Sequence, residues 1–175
     1  MTKTGILEQL TTDQALAVLK TLSEQNKEYK QKIEQLAREF LKKVDFEEVA
    51  SDVHNSLIGL DVDDLYGSSG PSRYGYVDPN ERSWEMFEEA LEPFEEQLKK
   101  YHALSMFDEA KLYCKGILTG IYNYEKEGAS EFADWVTDAP CENFHRILDD
   151  WKKQQKNSSD ITEMEKFISK NFPGF

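Results

Sequence analysis

MFDEAKLYCKGILTGIYNY, from Met106 to Tyr124, is the stretch on which the fold depends. Between Leu112 and Tyr124 the only charged side chain is Lys115. Apolar residues fall at Met106, Ala110, Tyr113, Ile117, Ile121 and Tyr124, in steps of three or four, which is the period of an α-helix. Cys114, Leu118 and Tyr122 widen that stripe over most of the circumference, and a helix apolar nearly all round is enclosed by neighbours on several sides. Gly116 and Gly120 lie four apart and so share a face. Each glycine weakens a helix by about 1 kcal/mol relative to alanine. The pair therefore predicts a groove where another backbone comes close. The apolar run is far shorter than the roughly 20 residues that cross a bilayer, which excludes a membrane dimer motif.

Upstream of this helix, Asp78-Pro79 is a helix start, a capping aspartate followed by proline at the first helical position. Trp84, Phe87, Ala90 and Leu91 supply its apolar stripe, and Phe94, Leu98, Tyr101 and Leu104 carry it on past Pro93, which either kinks this helix or begins another. The short connection to Met106 makes this element and the central helix antiparallel neighbours. Earlier still, Asp45 caps a helix with Glu47 and Glu48 in its first turn, where carboxylates suit the helix dipole. Phe46, Val49, Ala50, Val53, Leu57, Ile58 and Leu60 line its apolar side, and Asp61 caps a last turn through Val62 and Leu65. At the N-terminal end, Thr11 and Gln14 have the spacing of a capping box. Leu16, Leu19 and Leu22 follow, Ser23 breaks the pattern, and Ile33, Leu36, Ala37, Phe40, Leu41 and Val44 resume it. Residues 12–43 thus read as a helical hairpin or one long bent helix.

Downstream, the periodicity stops between Glu125 and Gly128. Phe132, Trp135 and Val136 point to a short helix, Asp138-Ala139-Pro140 to a restart, and Phe144, Ile147, Leu148 and Trp151 to the next helix. A polar run, KKQQKNSS, starts at Lys152 and precedes a last helix over 160–170 with Ile161, Met164, Phe167 and Ile168. Pro173-Gly174 ends it. No segment alternates with the period of two that marks a strand. The expected fold is all-α, a compact domain of about seven to eight helices around the central one. Its parts are an N-terminal helical hairpin over 1–44, a helical core over 45–151, and a linker with a C-terminal helix over 152–175.

A chain of 175 residues is long enough for one domain with a real core. Nine glycines and five prolines are too few for an all-β fold rich in tight turns. No charged-then-apolar leader precedes Gly5, so the expected location is the cytoplasm, with Cys114 and Cys141 reduced. Net charge is −13 and unevenly placed. Residues 1–43 carry eight Lys/Arg and six Asp/Glu, residues 44–98 two arginines and fifteen acids, and residues 99–175 eleven Lys/Arg and thirteen acids. An acidic field concentrated in the middle third repels nucleic acid and membranes and favours a basic protein partner, while the plainer reading is a solvated acidic surface that keeps the protein soluble.

GSSGPSRYGYV, Gly67 to Val77, is the one clear loop, with three glycines, one proline and three serines against a regular element. It also holds Arg73, Tyr74 and Tyr76, the residue types that most often anchor interfaces. The plainer reading has the tyrosines folding back over the core edge. Cys141 and His145, four apart, share a helix face and are the best metal candidates, with Cys114, His54 or His102 as further ligands. Zinc needs three or four protein ligands, and the paired CxxC knuckles that usually supply them are absent. Asp61, Asp63 and Asp64 resemble the start of a calcium loop, but the positions that need glycine and glutamate hold Tyr66 and Ser72. Glu88, Glu89, Glu92, Glu95 and Glu96 lie opposite Phe87, Leu91 and Leu98, on a face that water covers, where no carboxylate pair is tuned for acid–base work. No nucleophile elbow, phosphate-cradling glycine loop or dinucleotide fingerprint occurs, so neither catalysis nor a cofactor is expected.

Two resemblances add to this. Ser105 to Leu118, SMFDEAKLYCKGIL, resembles the second helix of a tetratricopeptide-type unit, with Leu91 to Leu104 in the place of the first; no second copy follows at a period near 34. Three longer stretches, ILEQLTTDQALAVLKTLSEQNKEY, YGYVDPNERSWEMFEEALEPF and LYCKGILTGIYNYE, are similar to the helical region that accompanies the zinc finger of prokaryotic SWIM-type proteins. The finger itself, a CxC followed by a CxH, is absent, so zinc and the finger's nucleic-acid role do not carry over. The resemblance implies an α-helical accessory module. The expected function is a non-enzymatic protein-interaction module. The alternatives are an acidic mimic of nucleic acid that occupies a nucleic-acid-binding protein, and a metal protein built on Cys141 and His145.

Overall fold

The structure, a computed structural model, describes residues 5–127 and 130–175 apart from Tyr74. The chain divides into two compact units, Met1–Lys43 and Val44–Phe175.

The first unit holds a 3-10 turn, Ile6–Gln9, and two helices, α1 (Thr12–Gln25) and α2 (Lys27–Leu41), packed on one another as a hairpin. Thr11 and Gln14 form the expected capping box, the Gln14 amide donating to Thr11 Oγ1 at 3.3 Å and the Thr11 amide to Gln14 Oε1 at 3.0 Å. The break between the helices falls at Asn26, not Ser23. Asn26 is extended, with φ −151°, and its Oδ1 accepts the Glu28 amide at 2.7 Å. The Ser23 hydroxyl instead donates to the Lys20 carbonyl within α1, which lets serine stay helical.

The second unit contains α3 (Phe46–Ile58), α4 (Val62–Ser68), β1 (Gly70–Ser72), β2 (Gly75–Val77), α5 (Pro79–Ala103), α6 (Phe107–Glu127), a 3-10 turn (Ala133–Trp135), α7 (Ala139–Gln154) and α8 (Ser158–Asn171). The all-α architecture is as expected, with α6 at its centre and α3, α5, α7 and α8 packed around it. Ala110, Cys114, Ile117, Leu118 and Ile121 have no exposed surface, and Met106 and Tyr124 very little. The glycine groove is filled by α3, which packs on α6 more extensively than any other element. A Cβ on Gly116 would stand 2.7 Å from Val49 Cβ, and one on Gly120 would stand 2.6 Å from Val53 Cβ and 2.7 Å from the Ala50 carbonyl oxygen. The two helices approach so closely because glycine leaves that face without side chains.

α5 runs unbroken through Pro93. The ring removes the donor that would satisfy the Glu89 carbonyl, and both residues lie on the exposed side of the helix. The stretch read as an irregular loop forms a short antiparallel ladder, Gly70 opposite Val77, Pro71 opposite Tyr76 and Ser72 opposite Gly75. Gly70 and Gly75 sit at φ 91° and 135°, a backbone region side chains disfavour, so the glycines that argued against a strand make this tight pair possible. Three-residue strands are too short to show alternation in sequence.

The polar run from Lys152 is shorter as a linker than expected. α7 extends to Gln154, and Asn157 already caps α8, its Oδ1 accepting the Ser159 amide at 3.1 Å. Beyond α8 the chain turns at Gly174 and places Phe172 and Phe175 against Phe144 and Tyr122, with ring centroids 4.9 to 5.4 Å apart. No helix among the described residues is long and apolar enough to cross a membrane.

Candidate functional site

α5 is amphipathic in a way that creates a site. Met86, Phe87, Leu91 and Leu98 are buried, which turns Glu85, Glu88, Glu89 and Glu92 outward at helical spacing, while the Glu95 side chain is largely covered. α7 lies beside it, its own Phe144, Ile147, Leu148 and Trp151 buried. The five glutamates, with Lys99 and Arg146, line an open groove of ≈ 460 Å³. A neighbouring cleft of ≈ 180 Å³ shares Glu95 and Lys99 and is floored by Leu98, Ile147 and Trp151.

Two arginines set the geometry of the wall. Arg146 grips Glu95 with both terminal nitrogens, Nη1 to Oε2 at 2.9 Å and Nη2 to Oε1 at 2.5 Å, and Nη2 also donates to Asn143 Oδ1 at 2.7 Å. Arg82 makes the same fork with Glu89, at 2.8 and 3.0 Å, and reaches Glu85 Oε2 at 3.1 Å and Ser68 Oγ at 3.2 Å. Such bidentate pairs fix the planes of both partners. The hydrogen bond from Arg82 holds the Glu89 carboxyl below the usual carboxylate range, and the Glu95 carboxylate raises Arg146 further above its ordinary value. Glu88 and Glu92 are exposed along the groove, and Glu88 acts on Arg146 through charge. The site therefore offers a negative wall whose flanking members are anchored, beside a small apolar notch. That arrangement suits a basic segment with an apolar anchor.

Of the three loop residues expected to contact a partner, Arg73 is exposed in the turn after β1, and Tyr76 on β2 is 68% exposed rather than folded back over the core. Tyr74 lies outside the described residues. Tyr66 of α4 meets Trp135 edge-on at 5.9 Å, an aromatic pair that spacing alone does not reveal.

The metal candidates are not gathered. Cys141 Sγ and His145 Nδ1 lie 3.6 Å apart, but Nδ1 donates to the Cys141 carbonyl oxygen at 2.8 Å, a local bond within one helical turn. Cys114 is enclosed in the core, where burial pushes its thiol pKa up, and His54 Nε2 pairs with Glu127 at 2.9 Å. His102 is buried with both ring nitrogens unpartnered. Asp61 spends its carboxylate on the Asp63 amide at 2.7 Å, capping α4. Among the described residues no group of three or more His, Cys, Asp and Glu side chains could hold a metal ion.

In sequence, Glu88, Glu89, Glu92, Glu95 and Glu96 read as a solvated face without a role, and nothing there brings Glu85, Arg82, Arg146 and Trp151 together with them. Arg82 left a signal, three and seven residues ahead of Glu85 and Glu89. Arg146 left none, being 51 residues from Glu95. Comparison with known proteins gives no match to this chain among family models, curated proteins or solved structures.

Proposed function

We propose that the chain is a non-enzymatic protein-interaction module that takes a basic segment of a protein partner along the α5–α7 groove. The observation behind this reading is the conjunction of five glutamates, two of them fixed by arginine forks, with an apolar notch at Leu98, Ile147 and Trp151. A lysine or arginine of the partner meets Glu88 and Glu92, and an apolar neighbour enters the notch. Arg73, Tyr74 and Tyr76 are additional anchors, since arginine and tyrosine give large contact area with satisfied polar ends. The cytoplasm is the setting, and the resemblance to the helical region beside SWIM-type fingers supports an accessory role. Lys99 and Arg146 interrupt the negative wall, which favours a peptide groove over a uniform imitation of phosphate charge.

The test is affinity purification from the native cell with the unaltered chain, the pair Glu88→Lys/Glu92→Lys, and the triple change of Arg73, Tyr74 and Tyr76 to alanine. The expected result is a specific partner that loses at least about tenfold in recovery with the charge reversal, the size of a 1.4 kcal/mol change. Full recovery with the charge-reversed protein removes the groove, and full recovery with the triple variant removes the loop anchors.

A further inference from the structure

We propose that the N-terminal hairpin is a self-association arm, which pairs with the same hairpin of a second copy to close a four-helix bundle. The hairpin has an apolar side that it cannot cover. No residue of α1 or α2 is buried. Leu16, Leu19 and Leu22 on α1 and Tyr29, Leu36 and Phe40 on α2 are between 37% and 71% exposed. On α2 the apolar positions Tyr29, Ile33, Leu36 and Phe40 recur at steps of four, three and four, so they form one continuous stripe. Two helices cover only one flank of each other's stripe, and a unit of about 40 residues is marginal alone.

A second copy is the occupant for two reasons. The described part of the second unit exposes its large apolar side chains only singly, at Ile58, Tyr66, Tyr76, Leu104 and Leu112, and so presents no stripe of matching length. The hairpin, by contrast, matches itself. The charge pattern agrees. Residues 27–43 carry six Lys/Arg and three glutamates, while residues 5–26 carry Lys20 against Glu8, Asp13 and Glu24. A twofold axis between two hairpins lays α1 of one copy on α2 of the other, which joins opposite signs and keeps like helices on the diagonal. Residues 1–43, with eight Lys/Arg against six acids, also let two copies meet without the repulsion expected over residues 44–98, which hold fifteen acids against two arginines.

Sedimentation equilibrium of the full chain over a range of concentrations tests this. The expected mass is twice 20.3 kDa for the unaltered protein, falling to 20.3 kDa for Leu36→Glu/Phe40→Glu. Hydrogen exchange on the unaltered chain gives a readout that needs no variant. Protection over residues 12–41 should rise with protein concentration while that of α6 stays constant. A chain that is monomeric up to its solubility limit, a dimer that survives both substitutions, or hairpin protection independent of concentration each overturns the proposal. The last outcome would mean that the stripe is covered within a single chain.

Discussion

A single methyl group on Gly120 would meet three atoms of α3 at less than 3 Å, one of them the Ala50 backbone oxygen, which cannot rotate away. Overpacking a filled core costs about 1–3 kcal/mol, more than the ~1 kcal/mol that alanine gains over glycine in a helix. Gly120→Ala is thus expected to lower stability by up to about 2 kcal/mol net, measured by urea unfolding. A gain would mean that α3 and α6 are not in backbone contact. His102 is the other informative residue. Burial lowers its pKa below the ordinary 6.5, so the folded chain holds it neutral while the unfolded chain protonates near 6.5. As pH falls below that value the unfolded state binds more protons, and stability declines by at most about 1.4 kcal/mol per pH unit until the folded state also protonates. His102→Leu removes both the titration and two orphaned ring nitrogens, so its stability should be flat across that window and no lower at neutral pH. The glycine pair was legible because two destabilising residues on one helix face need a reason. The orphaned histidine was not, since nothing in HA at 102–103 tells which way the ring turns.

Among elements, α8 is attached to α6 by charge as well as by Met164 and the aromatic tail. Lys111 Nζ reaches Asp160 at 2.8 Å and Glu163 at 2.7 Å, and Lys115 Nζ reaches the other oxygen of Glu163 at 2.6 Å. Two ammonium groups hold the Glu163 carboxyl down to about 2, although half its side chain meets solvent, which screens the pair. A carboxylate whose folded pKa is depressed adds stability above its unfolded value near 4.5, and that stability is lost as pH falls from there toward 2. Glu163→Gln should cost about 1 kcal/mol at neutral pH and should lose part of the acid sensitivity below 4.5, as acid titration of the far-UV signal would show. Helix existence was readable throughout, because 3.6-residue periodicity and capping aspartates at 45, 61 and 78 are local signals. The boundaries that moved did so where asparagine caps compete with serine. Asn26 and Asn157 took over as caps, while Ser23 satisfied its hydroxyl inside the helix. The β1–β2 ladder escaped because the chemistry that closes it, two glycines at positive φ, looks in sequence like plain loop composition.

For the whole molecule the decisive quantity is the placement of charge rather than its total. Fifteen acids over residues 44–98 are balanced by only two arginines, and one of these, Arg82, is already committed to Glu85 and Glu89. The outward glutamates of α5 therefore act on an approaching ligand through a field that ionic strength screens within about 10 Å at 0.1 M salt. Packing on Leu98, Ile147 and Trp151 depends far less on salt, though Glu95, Lys99, Asp150 and Lys153 line the same cleft. The two contributions separate kinetically, because long-range charge changes the rate of encounter and close packing changes the rate of escape. A lysine-rich peptide carrying one leucine should bind the unaltered chain with an association rate that falls steeply from low to high salt and a dissociation rate that changes little. Glu88→Lys/Glu92→Lys should flatten the salt dependence of association, and replacing the peptide's leucine with alanine should speed dissociation alone. Surface plasmon resonance at several ionic strengths measures both. Equal effects of salt on the two rates would show that charge alone holds the peptide and that the notch between α5 and α7 takes no part.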